Sequence, residues 1–294
     1  MNIIQFSSPL KSIILIVILF ALFSCNNNGS QSPEPTMINV GVLPDQSENI
    51  LKNKYHDLLE YLSKETGLDF TLVIPKSYSD LVKMFNEGRI DLGYFGGVSF
   101  AQTHLESKSE PLVFRNKDLK FTSSFIAKAK NGSNGIRDFK NRAFVFGSKL
   151  STSGHIMPRY FLGLEKISPE TFFSKVDYSG KHDLTIQLIL SGDFDLGAVN
   201  TLVIKEMIKD GRLKKGDIHV VWETPPYSDY VWTVQEKMST VIKSKIRDAF
   251  LSLSKDKPNQ KIILETLDGD HFVPAGIHDF SFIIEITKNM NLKG

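Results

Sequence analysis

The sequence predicts an α/β protein of two similarly wired lobes, and three observations carry that prediction. From Met37 onward, short apolar segments that suit strands alternate with segments whose apolar residues recur at helical spacing, as in α/β folds with largely parallel sheets. Gly88, Arg89, Ile90, Asp91, Leu92, Gly93 returns as Gly192, Asp193, Phe194, Asp195, Leu196, Gly197, an offset of 104 residues (192 minus 88). In each copy an apolar helix ends on a glycine that can take the left-handed C-cap conformation, and a short buried strand follows. A common helix-exit motif repeated by chance would read the same way. Finally, Lys120 to Ala129 and His219 to Val234 have the composition of strands that leave one lobe and return to it.

Taken in order, the chain starts with Lys11 and the unbroken apolar run Ile13 to Phe23, too short for a stable bilayer anchor but of signal-peptide size. Leu22, Phe23, Ser24, Cys25 then sets a small residue before the only cysteine of the chain. Residues 1–24 are accordingly predicted to be a lipoprotein signal peptide and Cys25 the lipidated N-terminus; a plain signal peptide with an incidental cysteine is the other reading. Residues 25–36, rich in Asn, Ser, Gln and Pro, read as a flexible tether. Ile38 to Val42 is a strand. Tyr55, Leu58, Leu59 and Leu62 form a helix face that Gly67 closes. Leu72 to Ile74 is the next strand, and Leu81, Val82 and Phe85 mark the next helix. Ala143 to Phe146 opens the second lobe's core, Tyr160, Phe161 and Leu164 lie on a helix, and Ile242, Ile246 and Phe250 mark a C-terminal helix packed back on the first lobe. The predicted boundaries are 37–128 with 225–294 for lobe 1 and 129–224 for lobe 2.

Composition narrows the function. Lys+Arg 35 against Asp+Glu 33 leaves no basic excess with which to grip nucleic acid. One cysteine excludes an internal disulfide and a Cys-based zinc cluster, and seven histidines without ligand spacing offer no zinc site. G-x-S-x-G, H-E-x-x-H, Walker A and G-x-G-x-x-G are missing; Gly211 and Gly216 have the Walker spacing, but Asp217 stands in place of the lysine. His155 or His182 could pair with Ser151 or Ser153, yet nothing orients one on the other. No enzyme, no metal and no cofactor is expected.

Three strand-to-helix turns concentrate small and polar residues. Gly147 to Gly154 carries Ser151, Thr152 and Ser153 ahead of a helix, where hydroxyls and unpaired helix N–H groups make an anion cradle; a simple N-cap needs only one of them. Tyr94, Phe95, Gly96, Gly97 follows another strand, and the two glycines permit close approach to the backbone. Tyr178 to Asp183 is a polar turn holding Lys181, His182 and Asp183.

At these turns the chain resembles the phosphate, phosphite and phosphonate substrate-binding proteins of ABC transporters. Asp91 to Gly97 is similar to that family's first ligand turn, Ser151, Thr152, Ser153, Gly154 to its oxyanion-binding Ser-Thr-Ser motif, Ser179 to Asp183 to a further turn, and Asp195 to Asn200 to the strand facing the cleft. Phe121 to Ile126, Met157 to Tyr160 and Thr224 to Tyr230 resemble a branch labelled selenate-binding. Phe95 stands where the phosphonate binders commonly have tyrosine, which would remove a hydroxyl from the pocket.

The resemblance implies a type II periplasmic binding fold: two Rossmann-like lobes joined by two hinge strands, with a tetrahedral oxyanion clamped in the cleft between them. It implies ligand contacts from Tyr94, Phe95, Gly96, Gly97, Ser151, Thr152, Ser153, His182, Asn200 and Tyr227, with Lys181, Asp183, His155 and Asp229 around them. It also implies an extracytoplasmic, lipid-anchored monomer whose partners are a permease and an ATPase. A lipoprotein that senses the ligand and signals to a membrane partner would share all these features.

Overall fold

In the computed structural model the described residues are 37–129 and 135–290. The predicted signal peptide, the tether and Cys25 lie outside them, as do Asn131 to Asn134 of the loop in lobe 2.

The first lobe opens with β1 (Met37–Val42), α1 (Glu48–Thr66), β2 (Asp69–Val73), α2 (Tyr78–Asn86), β3 (Leu92–Phe95), α3 (Gly97–Ser107) and β4 (Glu110–Arg115). Lobe 2 follows with β5 (Ser123–Lys128), β6 (Ala143–Phe146), α4 (Met157–Leu164), β7 (Lys175–Tyr178), α5 (His182–Ser191), β8 (Leu196–Asn200), α6 (Thr201–Lys209) and β9 (Ile218–Glu223). The chain then returns through β10 (Val231–Val234), α7 (Thr240–Leu251), α8 (Pro258–Thr266), β11 (Phe272–Pro274) and α9 (Ser281–Asn289). Strand order is β11-β4-β10-β3-β1-β2 in one sheet and β7-β6-β8-β5-β9 in the other.

The sequence placed β5 at the end of lobe 1. It belongs to lobe 2, where it runs antiparallel to both β8 and β9. Its alternation explains the assignment: Phe125 and Ala127 enter the core on one face of that sheet, and Ile126 the core on the other. The outward crossing is therefore 116–122 and the return 224–230, tied together where Phe121 and Tyr227 exchange backbone hydrogen bonds at 2.8 and 3.0 Å. The sheets are also more mixed than expected. β1 runs parallel to its neighbours β2 and β3, and β6 to its neighbours β7 and β8, whereas β10 and β5 run against them. The crossing strands enter each sheet from the cleft, where the parallel strands end, and so must point the other way.

The near repeat is structural. Asp91 accepts from the Asn39 backbone N–H at 2.9 Å, and Asp195 from that of Ala143 at 3.0 Å, so both acids tie the start of one strand to the neighbouring strand of their own lobe. Gly88 and Gly192 take left-handed backbones, φ +73° and +88°. The N-terminal residues of α2 and α5, Tyr78 and His182, are also 104 apart (182 minus 78), and so are the N-cap residues Ser47 and Ser151 (151 minus 47).

Asp91→Ala and Asp195→Ala each strand a backbone donor, at about 1–3 kcal/mol apiece. Urea unfolding is expected to show comparable losses for the two variants. A loss in only one of them would mean that the acids do not play matching roles.

Candidate functional site

The carboxyl ends of β1, β3, β6 and β8 all lead into the space between the sheets, the place where open α/β sheets bind ligands. After β6, the Ser151 side chain accepts from Gly154 N at 2.9 Å and starts a π-helical turn, Thr152–Ile156, that runs into α4. Gly154 is obligatory, because a Cβ there would lie 2.9 Å from the His182 ring, 3.0 Å from Ser151 Oγ and 3.1 Å from the Gly147 Cα. Across the cleft the N-terminus of α3 has no cap from Gly96. Asp229 of the return crossing supplies it, its Oδ1 accepting from Gly97 N at 2.7 Å and from Tyr230 N at 2.9 Å. Thr152 completes this junction by accepting from Val98 N at 3.0 Å, its hydroxyl lying near the Asp229 carboxyl.

Three fully buried polar atoms on these walls have no partner: Ser153 Oγ, His182 Nε2 and Asp229 Oδ2. Burial drives the His182 pKa down to about 4, so the ring is neutral at pH 7. Its Nδ1 accepts from Asn200 N at 3.3 Å, which leaves the proton on Nε2. Burial pushes the Asp229 carboxyl up to about 6, only partly opposed by its hydrogen bonds from Gly97, Tyr230 and Thr152. The walls thus offer two neutral donors, Ser153 O–H and His182 Nε2–H, and one acceptor, Asp229 Oδ2.

Residues 40–280 match the family of phosphonate ABC transporter periplasmic substrate-binding proteins. The chain belongs to that family. The probable ABC transporter phosphite binding protein PhnD1 of Prochlorococcus marinus MIT 9301 is 30% identical over 289 residues, 93% of this chain and 95% of that protein. The phosphate-import protein PhnD of Mycolicibacterium smegmatis is 28% identical over 250 residues, 78% of each. The solved structure of P. marinus PhnD1 in complex with methylphosphonate superposes with a TM-score of 0.83 at 30% identity, covering 88% of this chain and 99% of that one. This member of the phosphonate-binding family is a substrate-binding component of an ABC transporter and not an enzyme.

The remaining predicted residues of this binding protein sort by what they touch. Phe95 turns into the lobe 1 core against Phe85 at 5.2 Å, so the tyrosine-to-phenylalanine difference takes no hydroxyl out of the cleft here. The Gly97 and Val98 N–H groups are already taken by Asp229 and Thr152. Tyr94 stacks on Tyr230 at 5.3 Å, faces Trp232, and lines a side cavity with Asp45 and Arg115. The Tyr227 and Ser123 hydroxyls share a hydrogen bond where the two crossings meet. Asn200 caps α6 through Leu202 N and donates to the Tyr230 hydroxyl at 3.2 Å. His155 is held by Lys149 O and Arg159 Nε, behind the Ser-Thr-Ser turn. Asp183 has both oxygens occupied, one by Ser47 N of the opposite lobe and the other by Leu184 N. Lys181 is half-buried beside Glu48. Among the described residues a cluster with metal-ligand geometry, His56, Asp57 and Glu60, lies exposed on α1, outside this site.

Sequence reasoning missed Tyr78, Asp45 and Tyr230. Tyr78 lies near Ser151 across the lobes, and the Tyr230 hydroxyl donates to Asp45 at 3.0 Å. Applying the 104-residue offset to His182 would have found Tyr78, and the carboxyl end of β1 was a fourth strand-to-helix turn that pointed to Asp45.

The folded pKa of His182 lies below its unfolded value of 6.5, so its contribution to stability is complete above pH 6.5 and is lost as pH falls toward about 4. Urea unfolding of ligand-free His182→Gln is therefore expected to lose less stability than the parent between pH 7 and 5. Equal losses would mean that the ring titrates as if exposed.

Proposed function

We propose that the cleft captures a tetrahedral phosphorus oxyanion that carries one proton, such as phosphite, methylphosphonate or hydrogen phosphate, and that lobe closure around it presents the protein to a permease. The observation that carries this reading is the set of three buried, unpartnered atoms, two donors and one acceptor. An anion with bare oxygens satisfies Ser153 and His182, while only an anion bearing an O–H also satisfies Asp229 Oδ2. The binding named for the relatives, phosphite and methylphosphonate for the P. marinus protein and phosphate import for that of M. smegmatis, supports a phosphorus head group. Selenate and sulfate have no proton to give at neutral pH and would meet the Asp229 charge unscreened. Lys and Arg are not required: each charge-assisted hydrogen bond contributes about 1.5–3 kcal/mol, so a few converging donors reach the ~8 kcal/mol of micromolar binding.

Calorimetric titration with phosphite, methylphosphonate, phosphate, sulfate and selenate tests this. One or more of the phosphorus anions is expected to bind at micromolar level or better, and Ser153→Ala is expected to weaken it by about 10- to 100-fold. Asp229→Asn is expected to weaken it too, and to narrow the gap to sulfate and selenate. One proton shared between ligand and Asp229 further requires affinity to fall by about tenfold per pH unit once neither partner holds it. Tighter parent binding of selenate or sulfate would overturn the assignment.

The delivery route proposed is a lipid anchor on Cys25 followed by the 26–36 tether. Cys25→Ser is expected to move the protein from the membrane pellet to the soluble extracytoplasmic fraction and to abolish palmitate labelling. An unchanged distribution would leave a plain signal peptide as the better account.

A further inference from the structure

A second set of contacts joins the lobes without using any atom assigned to the anion. Lys54 of α1 reaches Glu206 of α6 at 3.0 Å. Gln46, just before α1, donates to the same carboxylate at 3.2 and 3.4 Å, and its own Oε1 accepts from both terminal nitrogens of Arg212 at 3.3 Å. Arg212 also lies 3.8 Å from Glu206 and 2.6 Å from Asp210. One turn away, α1 has no cap from its own Ser47; Asp183 of lobe 2 supplies it, accepting from Ser47 N at 3.0 Å. His182 N donates to Asp45 O at 3.0 Å alongside.

We infer that Gln46, Lys54, Asp183, Glu206 and Arg212 form a clasp that sets how readily the lobes close and thereby scales affinity for every ligand equally. These are positioning residues. The inference rests on the proposed capture of an anion by closure, and it assigns part of the binding free energy to side chains that never meet the anion. The physical basis is linkage: if only the closed form holds the ligand, apparent affinity is multiplied by the fraction of closed protein, whatever the ligand. Lys54 and Glu206 are 14% and 24% exposed in their side chains, so their pairing is sheltered but still open to screening by salt. The carboxylate of Asp183 at the N-terminus of the 19-residue α1 adds a favourable charge–dipole contact that exists only while the lobes meet.

The test uses the chain from Thr36 onward, a compact unit that holds every described element and all three apolar cores. Glu206→Gln, Lys54→Gln, Asp183→Asn and the swapped pair Lys54→Glu with Glu206→Lys are titrated with phosphite, methylphosphonate and phosphate at low and high salt. Each single variant is expected to weaken all bound ligands by one common factor, on the order of 3- to 10-fold. Their ranking should stay fixed and the parent's salt dependence should shrink; the swap should recover much of the loss. Small-angle scattering of the ligand-free proteins is the independent readout. The single variants should show a larger radius of gyration than the parent, and the swap a return toward it. Unequal effects among ligands, or unchanged affinity together with unchanged scattering, would overturn the clasp. If the parent binds none of the three anions, the anion reading itself has failed, and the scattering alone then decides whether these residues hold the lobes together.

Discussion

The Asp229 carboxylate is the constraint on which the cleft depends. One oxygen is fixed by two backbone donors, Gly97 N at the start of α3 and Tyr230 N on the return crossing, and the hydroxyl of Thr152 approaches the same group from the other lobe. The acid thus joins three parts of the chain that are far apart in sequence. Because Tyr230 has a left-handed backbone, φ +47°, the crossing is held in a geometry that side chains seldom adopt, and the surrounding bonds must enforce it. The Asp229 backbone N–H reaches Asp118 O on the outward crossing at 2.9 Å, so the two crossings and the acid form one unit. The second oxygen is left without a partner in a buried place, an arrangement that is stable only if something is provided for it.

Behind that unit lies a buried ion pair. Arg115 binds both oxygens of Asp118 and donates to Leu267 O at 2.6 Å, beneath the rings of Tyr94 and Tyr230. The chain segment that leaves lobe 1 is thereby anchored to the C-terminal helices that return to it.

Much of this was legible in the sequence, for physical reasons. Helices announced themselves through apolar spacing and glycine exits, and the Gly67 stop after α1 appears with φ +71°. The Ser-Thr-Ser turn was visible because three hydroxyls exceed what one N-cap needs. β5 was misplaced because alternation reveals that a strand is buried without revealing in which sheet, and its partners β8 and β9 lie dozens of residues downstream. The surroundings of Phe95 and Asp183 were hidden for a related reason. A residue's place beside a turn says nothing of which way its side chain points, and here one ring fills the core while one acid caps a helix of the opposite lobe. Tyr230 went unseen as a site residue because its importance comes from a hydroxyl shared between Asp45 and Asn200, a contact that only folding creates.

The two lobes repeat one plan: a strand, a helical turn with serine at its N-cap position, a second strand, a helix that opens on Tyr78 or His182, and a third strand entered through an aspartate. A cleft between two such halves has an approximate dyad, and a dyad by itself cannot tell one end of a guest from the other. Orientation must come from whatever breaks the equivalence. Tyr78 against His182 breaks it by exchanging a phenol for an imidazole, and Asp229 breaks it further, because the pairings of Val231 with Phe95 and of Ser124 with Val199 place Thr122 at its counterpart, a hydroxyl where lobe 1 has a carboxylate. In the proposed capture of an anion, orientation is therefore set in the few places where the two halves differ.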